Sequence, residues 1–403
     1  MTRQLTAASR RPSPTLGPRA SFWVSAAIVC HTLWTSAAPA MAYPLLAAQW
    51  RLTPTVTMAI FAIYPILVVS TLVAFGDLSD HIGRRAAMLL GLAASALGVL
   101  LFALAPNVGW VFAGRAMMGV GVGLSASPST AAMVEFSAPG RAKQANAVTT
   151  ASQSVGYAGA LLVGGALIQY APLPTRLSFW LLLALIVALF VAAWFLPRRA
   201  GAAATPWRFR APFVPRDLLG RFSVSALAVT AAYTLGALFL SLGAQVARDL
   251  VGSSNVLVNG AALSLFAVAS GLCGVAARPL SSRVLIGVGG VASATAMVLL
   301  ALSASERALP VFLVAVALAG VGYSLLFLGG LDRLERAIPA KRRGAILSAL
   351  YLAAYLAMGA VALFLGVVAT AQGLKTALDV GAAILGVLGL LAALLARSAA
   401  DAP

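Results

Sequence analysis

The sequence predicts an all-α membrane protein of twelve transmembrane helices arranged as two six-helix halves. Three observations predict it: a composition too apolar for a water-soluble domain, twelve apolar runs of membrane-spanning length, and one basic connection that divides those runs six and six. The 403 residues are 61% hydrophobic and only 9% charged, with a mean hydropathy of +0.96. A soluble domain carries roughly 25% charge, and crossing a bilayer takes about 20 apolar residues. The spans begin near Phe22, Thr55, Ala86, Val108, Ala145, Leu177, Phe222, Val256, Val284, Leu309, Ala345 and Thr376. Their connections are short except one.

Charge placement supplies the orientation. The net charge of +18 would suit nucleic acid if it were clustered on a soluble face. Alternating the connections with the N-terminus inside leaves only Arg51, Arg176, Arg248, Arg307 and Lys375 outside and Arg115 within a helix; all other Lys and Arg fall inside. That is the positive-inside pattern, so both termini are expected in the cytoplasm and the basic loops against anionic lipid. No nucleic-acid role is expected. Cys30 and Cys273 fall within spans, so no disulfide framework or metal cluster is expected.

The expected domains are a disordered basic cytoplasmic arm (1–20), an N-terminal six-helix half (21–196), a basic cytoplasmic linker (197–221), a C-terminal six-helix half (222–396) and a short tail (397–403). The arm contains Ser9-Arg10-Arg11, a feature of twin-arginine signals, but no short apolar core with a small-residue cleavage site follows it. The linker interleaves Trp207, Phe209 and Phe213 with Arg and includes Pro206, Pro212 and Pro215, a composition suited to resting on the membrane interface. The halves resemble each other. Glu135, Pro139, Arg141 and Lys143 are matched 200 residues on by Glu335, Pro339, Lys341 and Arg343. Gly121-Val122-Gly123-x-Ser125 is matched at 199 by Gly320-Val321-Gly322-x-Ser324. Duplicated six-helix halves place a substrate site between them at mid-membrane.

Between the second and third spans lies Gly76-Asp77-Leu78-Ser79-Asp80-His81-Ile82-Gly83-Arg84-Arg85. This turn resembles the loop between helices 2 and 3 of the major facilitator superfamily of secondary transporters, departing from it at His81, where the family usually has Arg. The resemblance implies that fold. It also implies a cytoplasmic latch in which Asp80 faces the start of helix 11, here Gly344-Ala345, and Arg84 meets Glu135, with Gly76, Gly83 and Arg85 shaping the turn. A plain solvated loop is the alternative. In the second half Leu280, Ser281, Ser282 and Arg283 align with Leu78, Ser79, Asp80 and His81 at an offset of 202, without the acid. The working latch is therefore expected in the first half alone.

Two residues are candidates for coupling. Arg115 lies about 10 Å into span 4, and an intramembrane Arg is a functional candidate. Its setting, Arg115-x-x-x-Gly119-x-Gly121, is similar to the helix-4 pattern that drug/proton antiporters associate with coupling; snorkelling to the outer interface is the alternative. His31 lies near the middle of span 1, where no carboxylate shares its depth, and is the one side chain there that titrates near neutral pH. The alternative is a neutral His bonded to a neighbouring helix. The antiporter resemblance is incomplete: helix 1 has no acid, and Ala160 and Leu161 stand where the helix-5 element has Gly-Pro, although Gly164 and Gly165 remain.

Thr35, Tyr64, Gln153, Tyr157, Tyr233, Tyr323, Tyr351 and Tyr355 are the candidate cavity lining, aromatic and nearly uncharged with one cation at its outer side. Such a cavity suits a neutral, amphipathic or anionic solute better than a dication. No phosphate-binding, metal-ligand or nucleophile–base pattern is present, so no enzyme activity and no cofactor are expected. The expected function is secondary active transport by alternating access in the cell membrane, as proton-coupled efflux of a small amphipathic molecule by a monomer. Proton symport or uniport of an organic anion or metabolite is the alternative. A membrane sensor or scaffold that binds without transporting is a third reading.

Overall fold

The structure, a computed structural model, describes residues 15–138, 141–198, 212–277, 279–338 and 343–398. Residues 1–14 of the arm, 199–211 of the linker, Pro139, Pro339, Lys341 and the end of the tail lie outside them. Among the described residues every regular element is helical, and twelve helices are long. They are α1 (Pro18–Ala37), α2 (Pro54–Phe75), α3 (Arg84–Leu104), α4 (Val108–Phe136), α5 (Ala142–Tyr170) and α6 (Leu177–Trp194), then α7 (Leu219–Ser241), α8 (Val256–Ala276), α9 (Ser282–Glu306), α10 (Leu309–Glu335), α11 (Arg343–Gln372) and α12 (Leu374–Ser398).

Each predicted span is present, and most helices begin two to four residues before the apolar run. The reason is capping: a first turn tolerates polar residues because its N–H groups face water or a cap. Ser281 accepts from the Val284 N–H at the start of α9, which begins two residues before its run. Eleven of the long helices are apolar enough to cross a bilayer. The exception, α1, carries Ser21, Ser25, His31, Thr32 and Thr35, all buried. It meets the need for internal hydrogen bonds from its own backbone: Ser25 donates to the Ser21 carbonyl (2.8 Å) and Thr32 to Val29 (2.7 Å). The short helix Tyr43–Trp50 in the α1–α2 connection was not predicted.

The helices pack as two related sets. In the first, α4 packs on α1, α2 and α3, α1 on α5, and α3 on α6; in the second, α10 packs on α7, α8 and α9, α7 on α11, and α9 on α12. Two pairs, α5 with α8 and α2 with α11, join the sets. Packing in lipid depends on close approach of small residues, and the two sets use it alike. Gly121 of α4 lies against Ser95 of α3, and Gly322 of α10 against Ser293 of α9. That equivalence corrects the predicted register. Gly121 corresponds to Gly322 rather than Gly320, because α4 and α10 start 201 residues apart. The outer faces are apolar: Leu90, Leu97 and Leu104 form one exposed stripe along α3, as lipid contact requires.

The end carrying residues 76–85 is termed the turn end and the other the far end. At the far end the halves are tied by hydrogen bonds. Thr55 and Thr370 hydroxyls lie 2.8 Å apart, Thr55 Oγ1 donates to the Gly366 carbonyl (3.1 Å), and the Val256 N–H donates to Gln169 (2.8 Å). Along α2 the contact with α11 continues through Ala62 and Ile66 against Gly359. Closer to the turn end, Ser70 of α2 is exposed. On α5, Gln153 lies about two and a half turns from lipid-facing Leu162, on the opposite face, and yet is exposed, while Tyr157, one turn nearer the far end, is buried. The halves thus meet at the far end and part toward the turn end between α2 and α11, which leaves a cleft there, while α5 and α8 stay in contact as far as Ser154 with Gly271 and Thr150 with Gly274.

Candidate functional site

The turn is a single helical turn, Leu78–Ile82, followed by Gly83 at φ 89°, a conformation an L side chain rarely adopts. His81 Nδ1 donates to the Asp77 carbonyl (2.9 Å). Arg84 bonds the Ser79 hydroxyl (2.5 Å) and forms an ion pair with Asp80 (2.7 Å). Asp80 is half exposed and points a carboxylate at the start of α3, where the helix dipole favours negative charge. Glu135 is exposed at the turn-end terminus of α4. A methyl group on Gly344 would meet open space, so the start of α11 stands clear, as the cleft requires.

Arg85 reaches away from the cleft. Its Nη1 donates to the Leu196 carbonyl at the end of α6 (3.3 Å), and its guanidinium lies 5.4 Å from the Trp194 ring centre. In the second half Arg283 donates to the Ala396 and Arg397 carbonyls at the end of α12. By role Arg283 therefore corresponds to Arg85, which corrects its sequence alignment with His81. Both arginines fasten a peripheral helix by satisfying its last carbonyls.

Arg115 is fully buried, the largest such side chain among the described residues. Snorkelling is excluded by that burial. Its Nη1 donates to the Ser36 carbonyl (3.3 Å), and its guanidinium sits 4.3 Å from the centre of the Tyr64 ring, a cation–π contact. The Tyr64 hydroxyl lies near the Ser36 side chain. Tyr43, from the unpredicted short helix, lies within electrostatic reach of Arg115 and is buried. His31 is also fully buried; its Nδ1 donates to Ile28 of its own helix (3.0 Å), not to a neighbouring one, and Nε2 has no partner among the described residues. Thr35 is buried beside this region, its hydroxyl equally without a described partner.

The structure gathers five of the predicted tyrosines into one aromatic row. Tyr233 of α7 faces Tyr351 (6.4 Å between ring centres) and Tyr355 (4.9 Å) of α11 and Tyr323 of α10 (6.5 Å). Phe266 of α8 joins Tyr323 (5.3 Å) to Tyr157 of α5 (5.8 Å), so the row crosses from one half to the other. Tyr355 sits on α11 opposite lipid-facing Phe364, its ring set edge-on to that of Tyr233. Phe266 and Phe327 were missed in the sequence. Phe327 was legible in principle: Tyr323 and Phe327 repeat the i, i+4 spacing of Tyr351 and Tyr355, which puts each pair on one helix face.

A multi-pass helical membrane protein of two equivalent six-helix sets, cleft at one end and carrying this turn on the first set, defines a narrow class. The sequence model of the Major Facilitator Superfamily matches residues 23–307, and the chain belongs to that family. A curated relative, the multidrug efflux pump LfrA of Mycolicibacterium smegmatis, is 32% identical over 165 residues, which are 40% of this chain and 32% of that one. The chain thus matches about a third of that relative's length. Among solved structures, the POT family transporter PepTSo superposes with a TM-score of 0.77 at 14% identity, covering 95% of this chain and 99% of that one. A bacterial homologue of the human lysosomal transporter Spinster, inward-facing and unoccupied, gives 0.76 at 14% over 94% and 97%. The nucleoside transporter NupG gives 0.75 at 12% over 94% and 99%. At these identities the likeness is one of fold.

Proposed function

We propose that the chain is a secondary active transporter of the cell membrane that exports a small amphipathic molecule in exchange for protons by alternating access. The observation that carries this reading is the asymmetry of closure: hydrogen bonds tie α2 to α11 and α5 to α8 at the far end, while the turn end is cleft. Export then requires those far-end contacts to break and the turn end to close on Asp80. The positive-inside distribution puts the turn end in the cytoplasm. Kinship with an efflux pump over part of the chain supports the direction of transport.

The far-end contact yields a direct test. With Cys30 and Cys273 replaced, Thr55→Cys with Thr370→Cys should cross-link through a short bifunctional thiol reagent. Transport in proteoliposomes should then fall to background and return on reduction. Full transport while cross-linked would show that the far end never opens.

Proton coupling has two candidate residues. An inward proton gradient should drive export, and dissipating it should abolish accumulation. His31→Gln and Arg115→Ala are each expected to uncouple flux from the gradient. Gradient-driven flux in both variants would remove them from the coupling path. Symport or uniport of an organic anion is the second reading, favoured by a fully buried cation, Arg115, against Tyr64 and near an aromatic row. Uniport would continue without a gradient. A sensor would bind ligand and show no flux at all.

A further inference from the structure

Arg115 is held by two contacts, and they leave one side of it free. The Ser36 carbonyl takes Nη1 and the Tyr64 ring takes a face. Nε and Nη2 have no acceptor among the described residues, although the side chain is 0% exposed. Those two nitrogens present parallel N–H bonds along one edge, the geometry that matches a carboxylate bidentately. A buried charge lacking a counter-charge is strongly disfavoured, so the edge calls for an anion.

The protein does not supply one. Of the acids expected at the far end, Asp249 is paired with Arg248 and Asp379 with Lys375, and Glu306 is exposed at the end of α9. The Tyr43 hydroxyl, also without a described partner, is a second buried donor, within electrostatic reach of the guanidinium. Burial holds its phenol above the ordinary value, against the pull of Arg115, so it stays protonated. On the other side, Tyr64 is within electrostatic reach of Tyr355, the first ring of the aromatic row. A cationic edge, a neutral donor and an aromatic track therefore lie in one region of the core, with Tyr64 in contact with the guanidinium and Tyr43 and Tyr355 within electrostatic reach of this pair.

We propose that the Nε–Nη2 edge of Arg115, with the Tyr43 hydroxyl, binds the carboxylate of an amphipathic monoanion whose apolar body lies along Tyr64 and Tyr355. The assignment rests on the reading of this chain as a transporter and narrows its substrate class. One uncompensated charge selects a monoanion over a dianion.

The test uses purified full-length protein with 2-naphthoate and its neutral isostere 2-naphthamide, followed by binding titration and by counterflow in proteoliposomes. The acid should bind at least about tenfold more tightly than the amide, since charge-assisted bidentate bonds are the strong ones. Arg115→Lys keeps the charge but loses the edge, and should weaken the acid by about tenfold to a hundredfold while leaving the amide unchanged. Tyr43→Phe keeps the ring and should weaken the acid by about three- to tenfold, the share of one hydrogen bond; it decides the matter if Arg115→Lys does not fold. Equal affinity for acid and amide, or full acid affinity in Tyr43→Phe and Arg115→Lys, overturns the site. Transport of the amide without the acid also overturns it and leaves the transporter reading intact. Arg115-dependent binding of the acid with no flux of either compound sustains the site and defeats the transporter reading.

Discussion

Gly156→Val should strongly destabilise the folded protein. A methyl group on Gly156 would overlap the Cys30 carbonyl oxygen, a backbone atom of α1 that no rotamer change can move. Gly290 is in the same position against the Gly389 carbonyl, between α9 and α12. Overpacking a well-filled interface costs about 1–3 kcal/mol and more where backbone must shift, and valine adds bulk beyond the methyl. We expect a loss of about 3 kcal/mol or more for Gly156→Val, seen as a melting midpoint lowered by about 5 °C or more in detergent. Gly287→Val is the control, because nothing lies within 4 Å of a side chain there. It should stay within about 0.5 kcal/mol of the parent. Equal stability of the two variants would mean that α1 and α5 are not packed as described.

Asp80→Asn should show the reverse pattern, intact protein that scarcely transports. The Asp80–Arg84 pair is 49% and 34% exposed, and such pairs contribute about 0–1 kcal/mol. The melting midpoint should therefore hardly move. Transport, by contrast, should fall about tenfold or more if the closed turn end needs about 1.4 kcal/mol from this carboxylate. The comparison is Asp379→Asn, which breaks a similarly exposed i, i+4 pair with Lys375 (2.6 Å) at the far end. Its transport should match the parent. Equal losses in both variants would reduce Asp80 to an ordinary surface charge.

The fold was legible because its signals are local. The apolar runs and the Gly76–Arg85 turn each report on a few consecutive residues, and the structure has a long helix at each run and a single helical turn at Leu78–Ile82. What escaped was set by packing between helices distant in sequence. The helix Tyr43–Trp50 is shorter than a span and carries no periodic signal that a loop would lack, so Tyr43 was not foreseen beside Arg115. The repeat motifs could be matched as strings, yet their register was decided by which glycine meets which serine, Gly121 with Ser95 and Gly322 with Ser293. The tyrosines were identifiable one by one; that Tyr233 gathers three of them depends on how α7, α10 and α11 converge. His31 shows the same limit. Its depth followed from counting residues, whereas its bond to Ile28 followed only from its rotamer.

The arginines that fasten α6 and α12 have a mechanical meaning. Arg85 and Arg283 bind the outermost helix of each set at the turn end, where the cleft would otherwise let it splay. Each set can therefore swing as a stiff arm pivoting on the far-end contacts. The 29 residues of α5 make an arm of about 44 Å at 1.5 Å per residue. A swing of about ten degrees displaces its tip by about 8 Å by that length, more than the width of an aromatic ring. A few hydrogen bonds around Thr55 can thus meter the passage of a whole molecule at the opposite mouth.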